Sequence, residues 1–286
     1  MKISRITKLT AIFLIVFLLL AVAAFVAGRP DLRYRISEAL RSENRGVLPT
    51  ETKVEILKKY TYCELKTDKR VILSDSLMLI NEQYRLPDGY SLKLVPYGEV
   101  NHRLNVEAVE AFRNLSKAAE ENCGENLLIV SAYRNAKEQK RTIVEEGEKA
   151  ADVDASEHLT GLAMDICIKN YGGNAFLKSR AGRFVNSYCY DYGFIIRYPM
   201  FKKNITGIGY EPWHIRYVGL PHSEIIGRAK ITLEEYIDYL KEDKFYRFKN
   251  LIITRQKKGE LRLPLSFNKA VICDDNTGCY IISLEI

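Results

Sequence analysis

The sequence lacks several features that would identify a common class of protein. Its 6 cysteines include no C-x-x-C pair, which argues against a zinc ribbon and against a thioredoxin-type redox site. It has no internal repeat or low-complexity run, and a composition of 47% hydrophobic and 28% charged residues excludes a disordered chain, a collagen and a coiled coil. The 286 residues therefore predict one globular domain with an additional segment, or two small domains.

An excess of basic residues is also missing from most of the chain. The net charge of +7 is concentrated in residues 1–35, which hold 6 basic side chains against the single Asp31. The remaining residues carry 37 basic and 35 acidic side chains and are nearly neutral. Nucleic-acid binding depends on a basic surface, so we expect no nucleic-acid partner.

Residues 9–28 form an uncharged, almost entirely apolar run between Lys8 and Arg29. A helix of about 20 residues crosses the ~30 Å hydrocarbon core of a bilayer. A cleaved secretory signal is the alternative, because Ala21 and Ala23 offer a small-x-small cleavage site, but the apolar run continues beyond it. We expect residues 1–28 to be a cytoplasmic tail and a retained transmembrane anchor. Either reading places the rest of the chain outside the cytoplasm.

One cysteine pair invites a disulfide bond. Cys273 and Cys279 flank a turn-forming sequence, so a hairpin could place them opposite each other. Buried free thiols are the alternative.

Composition divides the remaining chain into three parts. Residues 29–70 are polar and charge-mixed, typical of a stalk followed by the lead-in to a fold. Residues 71–228 alternate apolar runs with helical patterns and would form the main domain. Residues 229–286 would be a small C-terminal module, rich in β-structure and without recognisable chemistry.

The hydrophobic periodicity predicts an α+β fold for the main domain. Helices are expected over residues 106–122, 135–151 and 181–192, with one more over 232–241 in the C-terminal module; strands are expected over 127–130, 162–168, 194–198, 205–208 and 213–218. The last three strands would form an antiparallel meander. We expect an antiparallel sheet with helices packed on one side.

Candidate metal ligands lie at the start of one predicted strand. In residues 162–168 apolar side chains alternate with smaller or polar ones, and Asp165 lies on the open face. His158 precedes the strand on a loop broken by Gly161, which lets the chain fold back and bring His158 close to Asp165. An imidazole and a carboxylate supply two of the three protein ligands of a catalytic zinc site.

The third ligand is expected from the strand that begins near residue 213. His214 follows Pro212, and Pro212 favours a chain entrance over a ladder position, so Glu211 can lie beside the metal without binding it. Three protein ligands leave one position for a water molecule, and a carboxylate beside that water can accept its proton. We assign no ligand role to His102 or His222.

Three motifs, in this order, resemble those of the VanY-type D-alanyl-D-alanine carboxypeptidases, zinc peptidases that act on bacterial peptidoglycan stem peptides. They are Ser131-Ala132-Tyr133-Arg134 with Gln139, Ser156-x-His158-x-x-Gly161-x-Ala163-x-Asp165, and Glu211-Pro212-Trp213-His214-x-Arg216. The resemblance covers about residues 77–226. It implies a hedgehog/DD-peptidase-like fold in which the sheet carries one Zn²⁺ ion on His158, Asp165 and His214, with Glu211 as the general base.

Further roles follow from the same resemblance. Arg134 would stabilise the oxyanion, a role that suits a permanently charged guanidinium group. Gln139, Ser156 and Tyr133 would bind the substrate. Ala132 stands where the family often has glycine, and we expect it only to stiffen the turn before Tyr133.

The predicted function is therefore zinc-dependent removal of the terminal D-alanine from peptidoglycan stem peptides, at the outer face of a bacterial cell membrane. An L,D-carboxypeptidase that trims tetrapeptide stems is the alternative within the same class. A non-catalytic, membrane-anchored wall-binding module is a third reading; such a module would be expected to lose Glu211 or Arg134, and both are present.

Overall fold

The computed structural model of the chain describes residues 5–147 and 151–286. The helices of these residues are α1 (Arg5–Ala27), α2 (Pro30–Leu40), α3 (Tyr62–Thr67), α4 (Val106–Cys123), α5 (Ala136–Glu146), α6 (Arg180–Tyr188), α7 (Lys203–Thr206), α8 (His222–Ala229) and α9 (Leu233–Tyr239). The strands are β1 (Thr50–Thr52), β2 (Leu57–Tyr60), β3 (Val71–Ser74), β4 (Leu94–Tyr97), β5 (His102–Asn105), β6 (Leu128–Ser131), β7 (Ala163–Cys167), β8 (Phe194–Ile196), β9 (His214–Tyr217), β10 (Lys244–Phe248), β11 (Leu251–Lys257), β12 (Leu261–Pro264), β13 (Lys269–Asp274) and β14 (Cys279–Glu285).

Within the predicted main domain, four strands form an antiparallel sheet with the order β6-β7-β9-β8. Helices α4 and α6 pack together over one core with this sheet; that core includes Phe112 and Val185 from the helices and Met164, Phe194 and Ile215 from the strands. The mixed α+β class predicted from the periodicity is confirmed. The apolar residues on one face of the sheet and on one side of α4 and of α6 are buried against each other.

Local sequence signals set the helix ends. Asn105 accepts a hydrogen bond from the Glu107 N–H at the start of α4, and Asn135 with Glu138 forms a reciprocal capping box on α5. Helix α5 ends at Glu146, short of the predicted residue 151; residues 148–150 lie outside the described chain.

The strand predicted over residues 205–208 is wrong, because Lys203–Thr206 is a helical turn, α7. The carbonyl of Lys202 accepts hydrogen bonds from the N–H and the hydroxyl of Thr206, and Gly207 ends the turn with a φ of 78°. These local bonds satisfy the backbone without a sheet partner, which an alternating pattern over four residues does not reveal. The meander is therefore reduced to the hairpin-like pair β8 and β9.

A second sheet has six strands in the order β1-β10-β11-β14-β13-β3. Strands β1 and β3 come from residues 50–74, a region that the sequence assigned mainly to the stalk and lead-in. The core under this sheet includes residues of the main domain, since Ile195, Val218 and Ile226 pack with Tyr236 and Ile281. The C-terminal segment is thus folded onto the rest of the chain.

Cys273 and Cys279 are buried free thiols. The β13–β14 hairpin forms as expected, but its register places Cys273 opposite Ile281, and the Cys279 carbonyl accepts from the Asp275 N–H. The two cysteines are offset along the ladder, so the disulfide alternative is wrong.

In the described part of the chain, no helix is by itself both long and apolar enough to cross a membrane. Ile12–Ala27 and Pro30–Leu40 meet that requirement only as a pair, and the pair is bent by 103°. The single transmembrane helix predicted over residues 9–28 is not confirmed.

Candidate metal centre

Two neighbouring strands and one short turn bring the predicted ligands together. Asp165 on β7 pairs directly with His214 on β9, so their side chains lie on the same face of the sheet. His158 lies in the 3₁₀ turn Glu157–Thr160, called the ligand turn below, which Gly161 ends in the left-handed region with a φ of 71°. The turn folds His158 back over the start of β7, as the glycine led us to expect.

The potential ligand atoms converge on one point. His158 Nε2 is 3.2 Å from Asp165 Oδ2, and His214 Nδ1 is 2.9 Å from Asp165 Oδ1. One ligand atom from each of the three residues lies within 4.8 Å of the others, a grouping found for no other set of three such residues in the described ranges. Both histidines are almost completely buried.

These residues fit a zinc ion. His158 Nδ1 donates to the Ala132 carbonyl at 2.7 Å. The Nε2 atom of the neutral ring therefore carries the lone pair, and this buried atom accepts no hydrogen bond. Two ligands at about 2.0–2.1 Å from a tetrahedral ion are roughly 3.3 Å apart. Each histidine nitrogen lies at a similar distance from an Asp165 oxygen, 3.2 Å for His158 and 2.9 Å for His214. Two imidazoles and one carboxylate are typical of a catalytic zinc site and leave a fourth position open.

The electrostatics of the site set the protonation state of each candidate ligand. Burial alone would raise the pKa of Asp165, but His158 and His214 outweigh it and the pKa is lowered, so the carboxylate is ionised. Burial lowers the pKa of His158 and keeps it a neutral imidazole, the form that binds metals. Burial would lower the pKa of His214, but the hydrogen bond and charge of Asp165 and the charge of Glu211 outweigh burial and raise the pKa to about 9, so a metal ion that binds here must displace a proton.

Glu211 lies at the edge of this cluster. Its Oε2 atom is 3.8 Å from His214 Nδ1, and its side chain is 24% exposed. The turn into β9 sets this position, because the Glu211 N–H donates to the Tyr198 carbonyl and the Glu211 carbonyl accepts from the His214 N–H. The carboxylate is near the ligand atoms and partly accessible to solvent, which is the placement predicted for a residue beside the metal.

Arg134 also faces the cluster. Its Nη2 atom is 3.8 Å from Asp165 Oδ2, and its Nη1 atom donates to Thr142 Oγ1 at 3.0 Å. Thr142 on α5 therefore fixes the direction of the guanidinium group. The Arg134 N–H donates to the His158 carbonyl, which ties the end of β6 to the ligand turn.

The three residues predicted to bind substrate are placed differently. Gln139 is buried and its side chain donates to the Ala151 carbonyl at 2.8 Å, while its Oε1 atom has no partner. Ser156 is buried at the start of the ligand turn. The Tyr133 ring packs under the Arg103 guanidinium at 4.5 Å. Within the described ranges, none of these three side chains is hydrogen-bonded to the metal ligands.

The sequence motifs did not predict a buried network of charged side chains next to His214. Glu157 Oε1 accepts from Arg197 Nε and Arg216 Nη1, both at 2.7 Å, and Arg197 also donates twice to Glu234. Burial would raise the pKa of Glu157, but the two arginines outweigh it and the pKa is lowered. The signal was present, because Arg197 and Arg216 each interrupt an apolar strand and a buried charge needs a partner.

Comparison with known proteins gives a consistent result. A family profile described as "VanY: D-alanyl-D-alanine carboxypeptidase" matches residues 101–220. The chain is 37% identical over 175 residues to a D-alanyl-D-alanine carboxypeptidase of Enterococcus faecium, covering 60% of this chain but only 54% of that protein. It is also 37% identical over 183 residues to the bifunctional D-Ala-D-Ala dipeptidase and D-Ala-D-Ala carboxypeptidase VanXYC of Enterococcus gallinarum, covering 58% of this chain and 95% of that protein.

Solved structures are similar as well. A mutant of the vancomycin resistance D,D-pentapeptidase VanY in complex with Zn(II) superimposes with a TM-score of 0.52 at 30% identity, over 57% of this chain and 98% of that chain. The LdcB LD-carboxypeptidase superimposes with a TM-score of 0.53 at 34% identity, over 70% of this chain and 98% of that chain.

Proposed function

Because the chain belongs to the VanY family of D-alanyl-D-alanine carboxypeptidases, we propose that it is a zinc carboxypeptidase that removes the terminal D-alanine from peptidoglycan stem peptides. The observation that carries the proposal is the convergence of His158, Asp165 and His214 with Glu211 on the accessible side of the cluster. Two relatives of the chain are carboxypeptidases named for their action on D-Ala-D-Ala.

The residues of the chain divide the chemistry between them. His158 Nε2, Asp165 and His214 Nδ1 would hold a zinc ion, which when bound acidifies water and polarises a carbonyl group. Glu211 accepts the proton of the attacking water and later returns it to the nitrogen of the leaving D-alanine. Arg134, held by Thr142, places a permanent positive charge where the carbonyl oxygen becomes negative.

Gln139, Ser156 and Tyr133 are proposed to bind the substrate. Gln139 Oε1 supports this role, since it is a buried acceptor without a partner and a peptide N–H could satisfy it.

An L,D-carboxypeptidase acting on tetrapeptide stems is the second candidate, and the likeness to the LdcB LD-carboxypeptidase supports it. The two activities use the same metal ligands and differ in the pocket for the terminal side chain.

Mass spectrometry of purified muropeptides separates these candidates. The protein is incubated with pentapeptide and tetrapeptide muropeptides, with and without a chelator. We expect loss of one alanine from the pentapeptide only, abolished by the chelator. Loss from the tetrapeptide would identify the L,D-carboxypeptidase, and loss from neither would leave the non-catalytic wall-binding module.

For the location we propose that residues 9–28 anchor the protein in a bacterial membrane, with the enzyme on the outer side. Large apolar side chains of this run are exposed, among them Phe13 (71%), Leu14 (65%), Leu18 (63%) and Phe25 (60%). Cell fractionation tests this, since a membrane-bound protein stays in the pellet and a cleaved, secreted form appears in the medium.

A further inference from the structure

Two buried atoms without hydrogen-bond partners face each other, one on Glu157 and one on His214. They are Glu157 Oε2 and His214 Nε2, which are 3.9 Å apart. The first is a carboxylate oxygen and can only accept; the second is a ring nitrogen that can donate if it carries the proton. Leaving both unpaired costs free energy, and a movement of about 1 Å would join them in a hydrogen bond.

Metal binding at His214 determines which ring nitrogen carries the proton. The Nδ1 atom lies toward Asp165 and Glu211, on the side where the ligand atoms converge. When Nδ1 gives its lone pair to a metal, the proton of a neutral imidazole must be on Nε2, which then needs an acceptor. Metal-binding histidines commonly donate this second N–H to a carboxylate, which fixes the ring orientation.

The Glu157 carboxylate is itself held in place. Its other oxygen accepts from Arg197 and Arg216, and both arginines are fully buried. Arg216 also donates to the carbonyls of Ser76 and Met78, so its guanidinium group cannot rotate freely. Glu157 Oε2 is therefore the oxygen left for His214.

The network continues into the C-terminal segment. Arg197 donates to both oxygens of Glu234 on α9, at 2.9 and 2.6 Å. Two carboxylates and two guanidinium groups balance in charge, which lowers the cost of burying them together. The C-terminal segment, which has no recognisable chemistry of its own, is thus connected to the metal centre by contacts from Glu234 to Arg197, from Arg197 to Glu157 and from Glu157 to His214.

We propose that Glu157 is a positioning residue that orients His214 for the metal through Nε2, and that Glu234 supports it through Arg197. This inference rests on the metal site of the proposed function, but it does not depend on the substrate.

The test is the zinc affinity of Glu157→Gln, measured on the full chain by competition with a chelating dye. The glutamine keeps the size and an acceptor for the arginines but turns an NH₂ group toward the His214 N–H. We expect the dissociation constant for zinc to rise about 10- to 100-fold. With Co²⁺ in place of zinc, the visible absorption bands should shift, because a reoriented imidazole changes the ligand field.

Asp275→Asn is the matched control. Asp275 is also a fully buried carboxylate paired with an arginine, Arg255, at 2.7 Å, but it contacts none of the three metal ligands. Both variants should lower the urea midpoint of the metal-free protein, and only Glu157→Gln should weaken zinc binding. Equal zinc affinity in both variants would show that Glu157 has a merely structural role and would overturn the proposal.

Glu234→Gln provides an independent measurement at a side chain that is 13% exposed. We expect a smaller loss of zinc affinity, about 3- to 10-fold, and no further loss when it is combined with Glu157→Gln, since both act through one chain of contacts. If Glu157→Gln does not fold, this variant decides, and wild-type zinc affinity and an unchanged Co²⁺ spectrum would refute the inference. Failure of the protein to cleave muropeptides would contradict the proposed function while leaving these zinc measurements valid.

Discussion

At the residue scale, the site separates groups that can bind a metal from a group that can move a proton. Asp165 is ionised between two histidines, and Glu211 lies at their edge with a partly exposed side chain. The two carboxylates therefore have different surroundings and suit different roles. Substitution of each kind of residue should have a different effect on metal content.

Glu211→Gln should retain zinc and lose most of its turnover. The three ligands are unchanged, but the amide cannot accept a proton, and loss of a general base costs roughly 10²- to 10⁴-fold in rate. Zinc content by plasma mass spectrometry and D-alanine release on a pentapeptide check both points. A variant with wild-type turnover would remove Glu211 from the mechanism.

His158→Ala should instead lose zinc. Only Asp165 and His214 would remain, and two protein ligands hold the ion far more weakly than three. His102→Ala is the control, because His102 lies on β5 and is not part of the ligand cluster. We expect low zinc occupancy in the first variant and full occupancy in the second; full occupancy in both would rule out His158 as a ligand.

At the element scale, the ligand turn depends on Gly161. This residue has a φ of 71°, and an added Cβ atom would lie 2.5 Å from a methyl carbon of Leu94 and 2.8 Å from the Asn105 backbone nitrogen. The backbone atom cannot move aside without disturbing the start of α4, which Asn105 caps. The turn thus needs both the conformational freedom and the small size of glycine.

Gly161→Ala should lower the free energy of unfolding by about 2 kcal/mol or more. Gly124→Ala is a control with the same backbone strain, since Gly124 has a φ of 70° but no atom within 4 Å of the added Cβ. It should cost only about 1 kcal/mol. Urea unfolding of both variants measures the difference, and equal losses would show that the close packing around Gly161 can relax.

At the scale of the whole molecule, a buried histidine links the two halves of the chain. His222 on α8 is hydrogen-bonded through Nδ1 to the Tyr236 hydroxyl at 2.7 Å and through Nε2 to the Ser283 hydroxyl at 2.9 Å. Its partners lie on α9 and β14, so the contact joins the main domain to the C-terminal module. Burial lowers the pKa of His222 to about 3.

This histidine should make stability depend on pH. An unfolded histidine has a pKa of about 6.5, so between pH 6.5 and 3 the unfolded chain binds a proton that the folded chain excludes. The contribution of His222 is present above pH 6.5 and falls by up to about 1.4 kcal/mol per pH unit below it.

Urea unfolding of wild type and His222→Gln, both without metal, isolates this contribution because the other titrating groups are shared. The wild type should be more stable at pH 7, and the gap should shrink by about 1.6 kcal/mol on going from pH 6.5 to pH 5. A gap independent of pH would show that protonated His222 is accommodated in the fold.

Much of the site could be predicted from short-range sequence signals. The alternation around Asp165 gave the face of β7, and Gly161 predicted the turn that returns His158. The prediction of a strand over residues 205–208 was wrong because hydrogen bonds to the Lys202 carbonyl compete with strand pairing. A four-residue pattern of apolar and polar side chains does not show such bonds. The roles of Gln139, Ser156 and Tyr133 stay predictions.

The sequence by itself determined which residues are candidates for the chemistry, since ligand type, strand period and turn residues are local properties of the chain. Only the tertiary structure decided what supports them. The pairing of Glu157 with Arg197 and Arg216, and of Arg197 with Glu234, joins residues far apart in the chain. So does the insertion of residues 50–74 into the C-terminal sheet. The local pattern around Arg197 and Arg216 shows that buried charges need partners, but which partners they find depends on how separate elements pack.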